Sequence, residues 1–425
     1  MLRVLIVVLV AGVVGVDVAA ARPGDLDPTF GVGGVVTLAG RDASVRADAL
    51  AVQPDGRILA AGDDGNGFLV TRRLRTGAAD RSFGVRGSVT VRFAGSSRAR
   101  AREVALFRDG RILMAGTVEV AAERRFGVVR VLPGGDVDPS FGTGGLAVVG
   151  PAGAELESMA LARDGALVLA GSVARPGERP AAVVMRLLPD AEPDPGFGAG
   201  GVAALGLVGR ARDVLLLDDG AVAVAAAAEE ELSGPGTFVA ARLTPAGALD
   251  PAFGAGGIAT VPTTQGALKG GGAAAITRGP GGRLVLAGTA RGGGGRHDAT
   301  FVRLDPGGTP DPRFGRAGVA RIRARRGLSV RIEALTRDAS GRLIAGGRAG
   351  PPSAAVMRLR ANGRRDTVFA RRGLLAAPLG RVRGRRRTFS AVRGVAVQRD
   401  GSVLAAGTVR GGRRGYLTVA RLRGR

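Results

Sequence analysis

The sequence contains no cysteine and no tryptophan, and only one tyrosine (Tyr416), one histidine (His297) and one lysine (Lys269) in 425 residues. Without cysteine the fold must hold without disulfides, and the usual thiolate metal sites are excluded. With one histidine, a nucleophile–histidine–carboxylate constellation has a single possible centre, and Gly-x-Ser-x-Gly does not occur. His297 lies next to a glycine-rich stretch and is expected to be an exposed loop residue, neither base nor ligand. The carboxylates show no EF-hand spacing. No metal site, cofactor site or catalytic residue is therefore assigned. Any core must be built from Val, Leu, Ala and Phe, and the hydrophobic content of 45% is enough for a sizeable one.

The first residues argue for export. Arg3 supplies a positive start, Leu5 to Val16 an apolar run too short to span a bilayer, and Ala19-Ala20-Ala21 a small-residue cleavage site. Residues 1–21 are expected to be a signal peptide cleaved after Ala21, leaving 22–425 as one secreted or extracytoplasmic domain. No lipid-accepting cysteine follows, and no integral membrane segment is expected after cleavage.

Self-comparison organises the rest of the chain. Asp-x-x-Phe recurs seven times, at Asp27/Phe30, Asp80/Phe83, Asp138/Phe141, Asp194/Phe197, Asp250/Phe253, Asp311/Phe314 and Asp366/Phe369. Four residues after each Phe comes a Gly (Gly34, Gly87, Gly145, Gly201, Gly257, Gly318, Gly373), where positive φ or a close approach is expected. Midway through each copy a short turn separates two apolar runs: Asp55-Gly56, Asp109-Gly110, Asp164-Gly165, Asp219-Gly220, Gly281-Gly282, Ser340-Gly341 and Asp400-Gly401. Such dipeptides predict tight type I′ hairpins. The runs after them, such as Leu167-Val168-Leu169-Ala170-Gly171, are continuous in apolarity and predict strands buried on both faces. A third landmark is an arginine (Arg72, Arg130, Arg186, Arg242, Arg303, Arg358) eight residues before the next Asp, with Arg421 closing the series. Each copy thus offers four short strands, which predicts an all-β, seven-bladed β-propeller with four antiparallel strands per blade.

These stretches resemble the delta-60 repeat β-propellers. The resemblance rests on Asp27-Pro28-Thr29-Phe30-Gly31, Pro54-Asp55-Gly56-Arg57-Ile58-Leu59-Ala60-Ala61-Gly62 and Ala241-Arg242-Leu243. It implies a propeller and an exported bacterial protein, and carries no activity with it. The seventh turn reads Asp366-Thr367-Val368-Phe369-Ala370, which puts the regularity of the last blade in doubt.

The repeated residues are expected to be scaffold. Asp would cap its turn, Phe would fill the space between blades, and each Arg would pair with the following Asp, Arg421 meeting Asp27 across the ring closure. As exposed pairs these would contribute about 0–1 kcal/mol. Alternate connections of a meander share a face, so the connections that vary between copies should form the binding face: Ser96 to Arg102, Glu229 to Gly236, Thr263 to Gly272, Arg291 to Asp298, Arg323 to Arg331 and Arg381 to Arg387. The net charge of +25 lies almost wholly in residues 311–425, which hold 29 basic and 5 acidic side chains against 32 and 31 before them. On the variable face, Arg321, Arg323, Arg325, Arg326 and Arg331, with Arg381, Arg383, Arg385, Arg386 and Arg387, form a candidate anion-binding patch. The competing account is compositional drift in solvated loops. Acidic polysaccharide or another extracellular polyanion is the partner such a patch implies. Specific nucleic-acid binding is not expected, since Phe389 is the only aromatic nearby. Glu229-Glu230-Glu231 reads as a solvated charge run and Gly292 to Gly295 as a flexible connection. Two functions follow: an exported non-catalytic scaffold that binds anionic polymers, or a polysaccharide lyase or hydrolase whose acid and base are carboxylates in the variable loops or the channel.

Overall fold

The computed structural model describes residues 22–39, 44–228, 237–263, 271–291, 296–323, 329–350, 353–380, 389–411 and 414–424, and among them there is no helix. The signal segment, Arg325, Arg326, Glu229 to Glu231, Gly292 to Gly295 and the Arg381 to Arg387 cluster lie outside the described residues.

The described strands fall into antiparallel sheets in which sequence neighbours pair. One four-stranded sheet holds β2 (Arg46–Val52), β3 (Ile58–Asp63), β4 (Phe68–Arg73) and β5 (Ser88–Val91). The next holds β6 (Ser96–Leu106), β7 (Ile112–Val120), β8 (Glu123–Val131) and β9 (Leu146–Val149). A seven-stranded sheet follows: β10 (Ala154–Leu161), β11 (Leu167–Val173), β12 (Ala181–Leu187), β13 (Val202–Leu216), β14 (Val222–Ala228), β15 (Thr237–Leu243) and β16 (Ile258–Pro262). Two further four-stranded sheets comprise β17 (Gly271–Arg278), β18 (Leu284–Arg291), β19 (His297–Leu304), β20 (Val319–Ile322), and β21 (Val330–Arg337), β22 (Leu343–Ala349), β23 (Ala354–Leu359), β24 (Leu374–Ala377). The last sheet joins β25 (Phe389–Val397), β26 (Val403–Gly411) and β27 (Arg414–Leu422) to β1 (Val35–Leu38) from the other end of the chain. This is a β-propeller, with the strands before the hairpins (β2, β6, β10, β13, β17, β21 and β25) adjacent to one another in a closed circuit.

The sequence repeat is offset from the sheets. The strand after each Phe-Gly turn belongs to the preceding sheet, as β5 pairs with β4 and β9 with β8. That offset leaves β1 without a preceding sheet in sequence, and it completes the last one by pairing Val35–Leu38 with Leu417–Ala420.

Except at Gly281-Gly282, where both residues have positive φ (62° and 71°), the hairpins differ from the expected type. Gly56 is left-handed (φ 86°) but Asp55 is not, and the Gly56 amide donates to the Gln53 carbonyl while the Gln53 amide donates to that of Arg57. This is a three-residue loop closed by a left-handed glycine, favoured over type I′ because the Asp55 side chain accepts the Arg57 amide at 2.9 Å. The Gly column after each Phe behaves as expected, with φ between 82° and 94°. In the seventh turn the chain keeps the common path: Phe369 is fully buried, and Ala370 takes φ 48° where the first copy has Gly31 at 55°. The last turn is therefore regular, at the cost of backbone strain on an alanine.

Each repeat arginine is the joint between two sheets. Arg72 donates from Nε to Asp80 at 2.7 Å, from Nη2 to Ser82 at 3.2 Å and from Nη1 to the Pro133 carbonyl of the next sheet at 2.6 Å, while lying 4.4 Å over the Phe83 ring. Arg130, Arg303 and Arg358 repeat the pattern, reaching the carbonyls of Pro189, Ala361 and Gly424. Arg421 meets Asp27 at 2.8 Å, as the ring closure requires, and continues to the Arg75 carbonyl at 2.7 Å. Several of these arginines are buried, Arg358 to 1% exposure, so they are not the weak surface pairs expected of exposed charges.

Two stability outcomes follow. Arg358→Ala should cost about 3–5 kcal/mol in chemical denaturation, because it strands the buried Asp366 carboxylate. Ala370→Gly should stabilise by about 1 kcal/mol by releasing the left-handed alanine; an unchanged or lowered unfolding midpoint would show that the turn carries no strain.

Candidate functional site: the central cavity and its basic mouth

One structural device carries charged side chains to the propeller axis. Each inner strand has a β-bulge, and the bulged residues are Asp48, Arg102, Glu157, Arg212, Ala274, Glu333 and Arg393. The residue before each bulge pairs with Gly62, Gly116, Gly171, Gly288, Gly347 or Gly407 in six strands and with Ala226 in β14. A Cβ on any of those glycines would collide with the inner-strand carbonyl, that of Arg46 at Gly62 and of Arg331 at Gly347 for example. In six copies a glycine lies where a Cβ would crowd the bulge, and in every copy the bulge re-aims one side chain at the cavity.

The bulged residues alternate in sign around the ring. Arg393 lies 2.8 Å from Asp48 and 3.4 Å from Glu333, Arg102 lies 3.7 Å from Glu157, and Arg212 lies 3.0 Å from Glu157. Burial alone would raise the Asp48 carboxyl, but Arg393, Arg100 and Arg102 outweigh it and hold it below the ordinary range. An odd ring cannot alternate throughout, and the break falls at Ala274.

This ring encloses a throat of about 200 Å³. One residue past the bulge, Glu103 and Asp213 also line it, with Ser158 between them in sequence order. Burial and then the Asp213 charge push the Glu103 carboxyl up to about 8. Burial pushes Asp213 up to about 6, opposed by hydrogen bonds from the Ile276 amide at 2.8 Å, the Ser158 hydroxyl at 2.7 Å and the Val214 amide at 2.9 Å. At neutral pH the throat therefore pairs a protonated Glu103 with a largely ionised Asp213.

Toward the face of the variable connections the throat widens into a mouth of about 600 Å³. Its walls carry Arg100, Arg102, Arg210, Arg212, Arg331, Arg348 and Arg393 against one carboxylate, Glu333, and one wall segment is Gly271 to Ala274 of β17. Six of these arginines are ion-paired, as Arg210 is with Glu155 at 2.8 Å, Arg100 with Asp48 at 3.1 Å, Arg102 and Arg212 with Glu157, and Arg348 and Arg393 with Glu333. Burial, then Arg331 and Arg291, lower the His297 imidazole, so the ring is neutral.

Of the ten arginines read from sequence, Arg331 reaches the mouth. Arg323 is exposed beyond β20, and Arg321 is spent on the carbonyls of Thr263 (2.6 Å) and Arg291 (3.4 Å). Arg325, Arg326 and the five from Arg381 to Arg387 lie outside the described residues. His297 is not an exposed loop residue: it opens β19, is half-buried, and lies with Nε2 3.3 Å from Arg331. Ser96 to Arg102 is not a loop either, since β6 runs through it and pairs with β7; Ser-Arg-Ala-Arg-Ala-Arg alternates with period two, the strand signal that was passed over. The bulge column was legible as well. Each bulged residue stands seven places before the first residue of its hairpin dipeptide, from Asp48 before Asp55 to Arg393 before Asp400. Among the described residues no group of three or more acidic or histidine side chains is placed to hold a metal, and no helix is long and apolar enough to cross a membrane.

Comparison with known proteins bears on the fold. The family model described as "Domain of unknown function (DUF5122) beta-propeller" matches residues 108–141 and 280–314, each stretch running from a hairpin to an Asp-x-x-Phe turn. No curated protein matches the sequence. Among solved structures, a streptogramin B lyase aligns with a TM-score of 0.51 at 11% identity, over 91% of this chain and 97% of that one. A catalytically inactive virginiamycin B lyase from Staphylococcus aureus with quinupristin aligns with a TM-score of 0.50 at 11% identity, over 91% and 98%. At such identities the likeness concerns the fold alone.

The raised Glu103 predicts a pH signature. A carboxyl whose folded value exceeds its unfolded value, near 4.3, destabilises the fold as pH rises from there to about 8, because the unfolded chain loses its proton first. Thermal unfolding midpoints should fall across that window, and Glu103→Gln should remove most of the fall between pH 6 and 8. Parallel curves for the two proteins would contradict the assignment.

Proposed function

Because the chain is a β-propeller carrying repeats of the DUF5122 family, we propose that it is an exported, non-catalytic binding module that takes anionic polymers at the mouth of its central cavity. In this reading the propeller has seven blades. β13 serves two of them, its residues up to Val208 pairing with β12 and those from Gly209 with β14. The observation that carries the binding reading is the mouth itself, seven arginines facing one glutamate on the face where the copies differ. Guanidinium groups suit carboxylate, sulfate and phosphate esters, since they present paired donors and stay charged at all physiological pH. Export rests on the sequence of residues 1–21, and acidic cell-surface polysaccharide is the partner that fits both.

A catalytic reading has one observation in its favour, the Glu103 and Asp213 carboxyls whose values are pushed apart in the throat. They would act as acid and base of a lyase or hydrolase on the same polymers. The throat's 200 Å³ leaves little room for a chain to pass both groups, which favours binding over cleavage.

The test is passage over immobilised acidic polysaccharide at low and high salt, with the polymer sized afterwards. Retention that weakens as salt rises, with no shortening, is expected. Arg210→Gln and Arg331→Gln should each weaken binding roughly fivefold, the equivalent of about 1 kcal/mol for one charge near a surface of opposite sign. Shortening that disappears in Glu103→Gln would establish catalysis instead, and indifference to both arginine substitutions would remove the mouth as the site.

A further inference from the structure

The mouth is not symmetric. On the other inner strands, the bulged residue and the one two places before it carry at least one long charged side chain, as in Arg210 with Arg212 and Arg331 with Glu333. On β17 the same two places hold Gly272 and Ala274, so one wall segment is bare backbone between two arginine-bearing neighbours. The fold does not require this. A Cβ added to Gly272 would meet nothing nearer than Ala227 at 3.6 Å, and its φ is not left-handed. Glycine inside a strand weakens it and is found where a ligand approaches the backbone. The alternating ring also breaks here: Arg212 pairs with Glu157 on its far side, while Glu333 pairs with Arg393 and Arg348, so among the described residues no ion pair closes the ring across Ala274.

A second feature of the same cavity points to a ligand. His297 Nε2 faces an Arg331 donor, so Nε2 is the acceptor and the neutral ring carries its proton on Nδ1. That Nδ1 is buried and has no hydrogen-bond partner among the described residues. A buried donor without an acceptor is costly, and it lies just behind the wall that His297 contributes to the mouth.

We propose that the bare segment of β17 is the seat for one ring-borne oxyanion, a carboxylate or phosphate ester on a single sugar-sized ring. Its charged group is clamped between Arg212 and Arg331 and its ring lies on the backbone at Gly272 and Ala274. This rests on the reading of the mouth as an anion site and deepens it: the ligand enters end-on and stops at the throat, so a polymer is held by its terminal residue. Arginines on both sides give the oxyanion a two-sided clamp, and the absence of side chains leaves room for the ring.

Calorimetric titration of the full chain with glucuronate, glucose 6-phosphate and neutral glucose tests it, beside retention on the acidic polymer. Both oxyanions should bind and glucose should not, with the tighter of the two identifying carboxylate or phosphate as the natural group. Gly272→Leu and Ala274→Glu should each weaken oxyanion binding by about tenfold or more. Their unfolding midpoints should stay at or above that of the unsubstituted protein, which separates a filled seat from a damaged fold. Unchanged oxyanion binding in both variants, or glucose binding as well as glucuronate, overturns the seat. Polymer retention without any small-oxyanion binding also overturns the seat while leaving the mouth as a polyanion site. Loss of both discards the two readings together.

Discussion

The propeller depends on a buried guanidinium. In most joints one arginine donates to the Asp of its own turn, reaches a carbonyl of the next copy and covers the Phe that fills the gap, as Arg130 does with Asp138, Pro189 and Phe141. A planar group with five donors can meet all of these at once, and a lysine cannot. Burial would make such a charge costly if any partner were missing, so the Asp, the Phe and the carbonyl are held together as a unit. With no cysteine to staple the ring, these joints and the β1–β27 pairing hold the chain ends together, Arg421 closing on Asp27 with the same geometry as the internal copies.

With the sheets fixed at their outer turns, the inner strands are free to carry variation. The bulge converts that freedom into chemistry. It is a feature of the backbone, opposite a glycine in six copies and Ala226 in the seventh, and it survives whatever residue occupies it. Aspartate, arginine, glutamate and alanine all appear there. Alternation of sign lets neighbouring copies neutralise each other at the axis, where desolvation would otherwise raise or suppress every charge, as it does at Glu103 where no arginine partner compensates.

The scaffold was legible in the sequence because it is periodic: the Asp-x-x-Phe turns, the glycines of positive φ, the doubly buried second strands and the Arg421–Asp27 closure all follow from residues recurring at fixed spacing. The hairpin type was misread because Asp-Gly serves both a two-residue and a three-residue loop, and only the Asp55 to Arg57 hydrogen bond decides between them. The mouth was hidden for a related reason. Attention to runs of arginine pointed to loops, whereas the cavity gathers one or two residues from each of several distant copies. Arg100 and Arg210 are unremarkable in sequence and become neighbours of Arg331 only through the ring.

The charge skew of the chain illustrates the same point. Residues 311–425 carry nearly all of the excess positive charge, yet Arg100, Arg102, Arg210 and Arg212, four of the seven arginines at the mouth, come from the balanced part. Their counter-charges, Asp48, Glu155 and Glu157, lie in that part too but do not line the mouth. What makes the mouth basic is therefore which copies line it, since Arg100, Arg102, Arg210 and Arg212 face it while Asp48, Glu155 and Glu157 do not. Net charge is a property of the chain, while the potential that a ligand meets is a property of the fold.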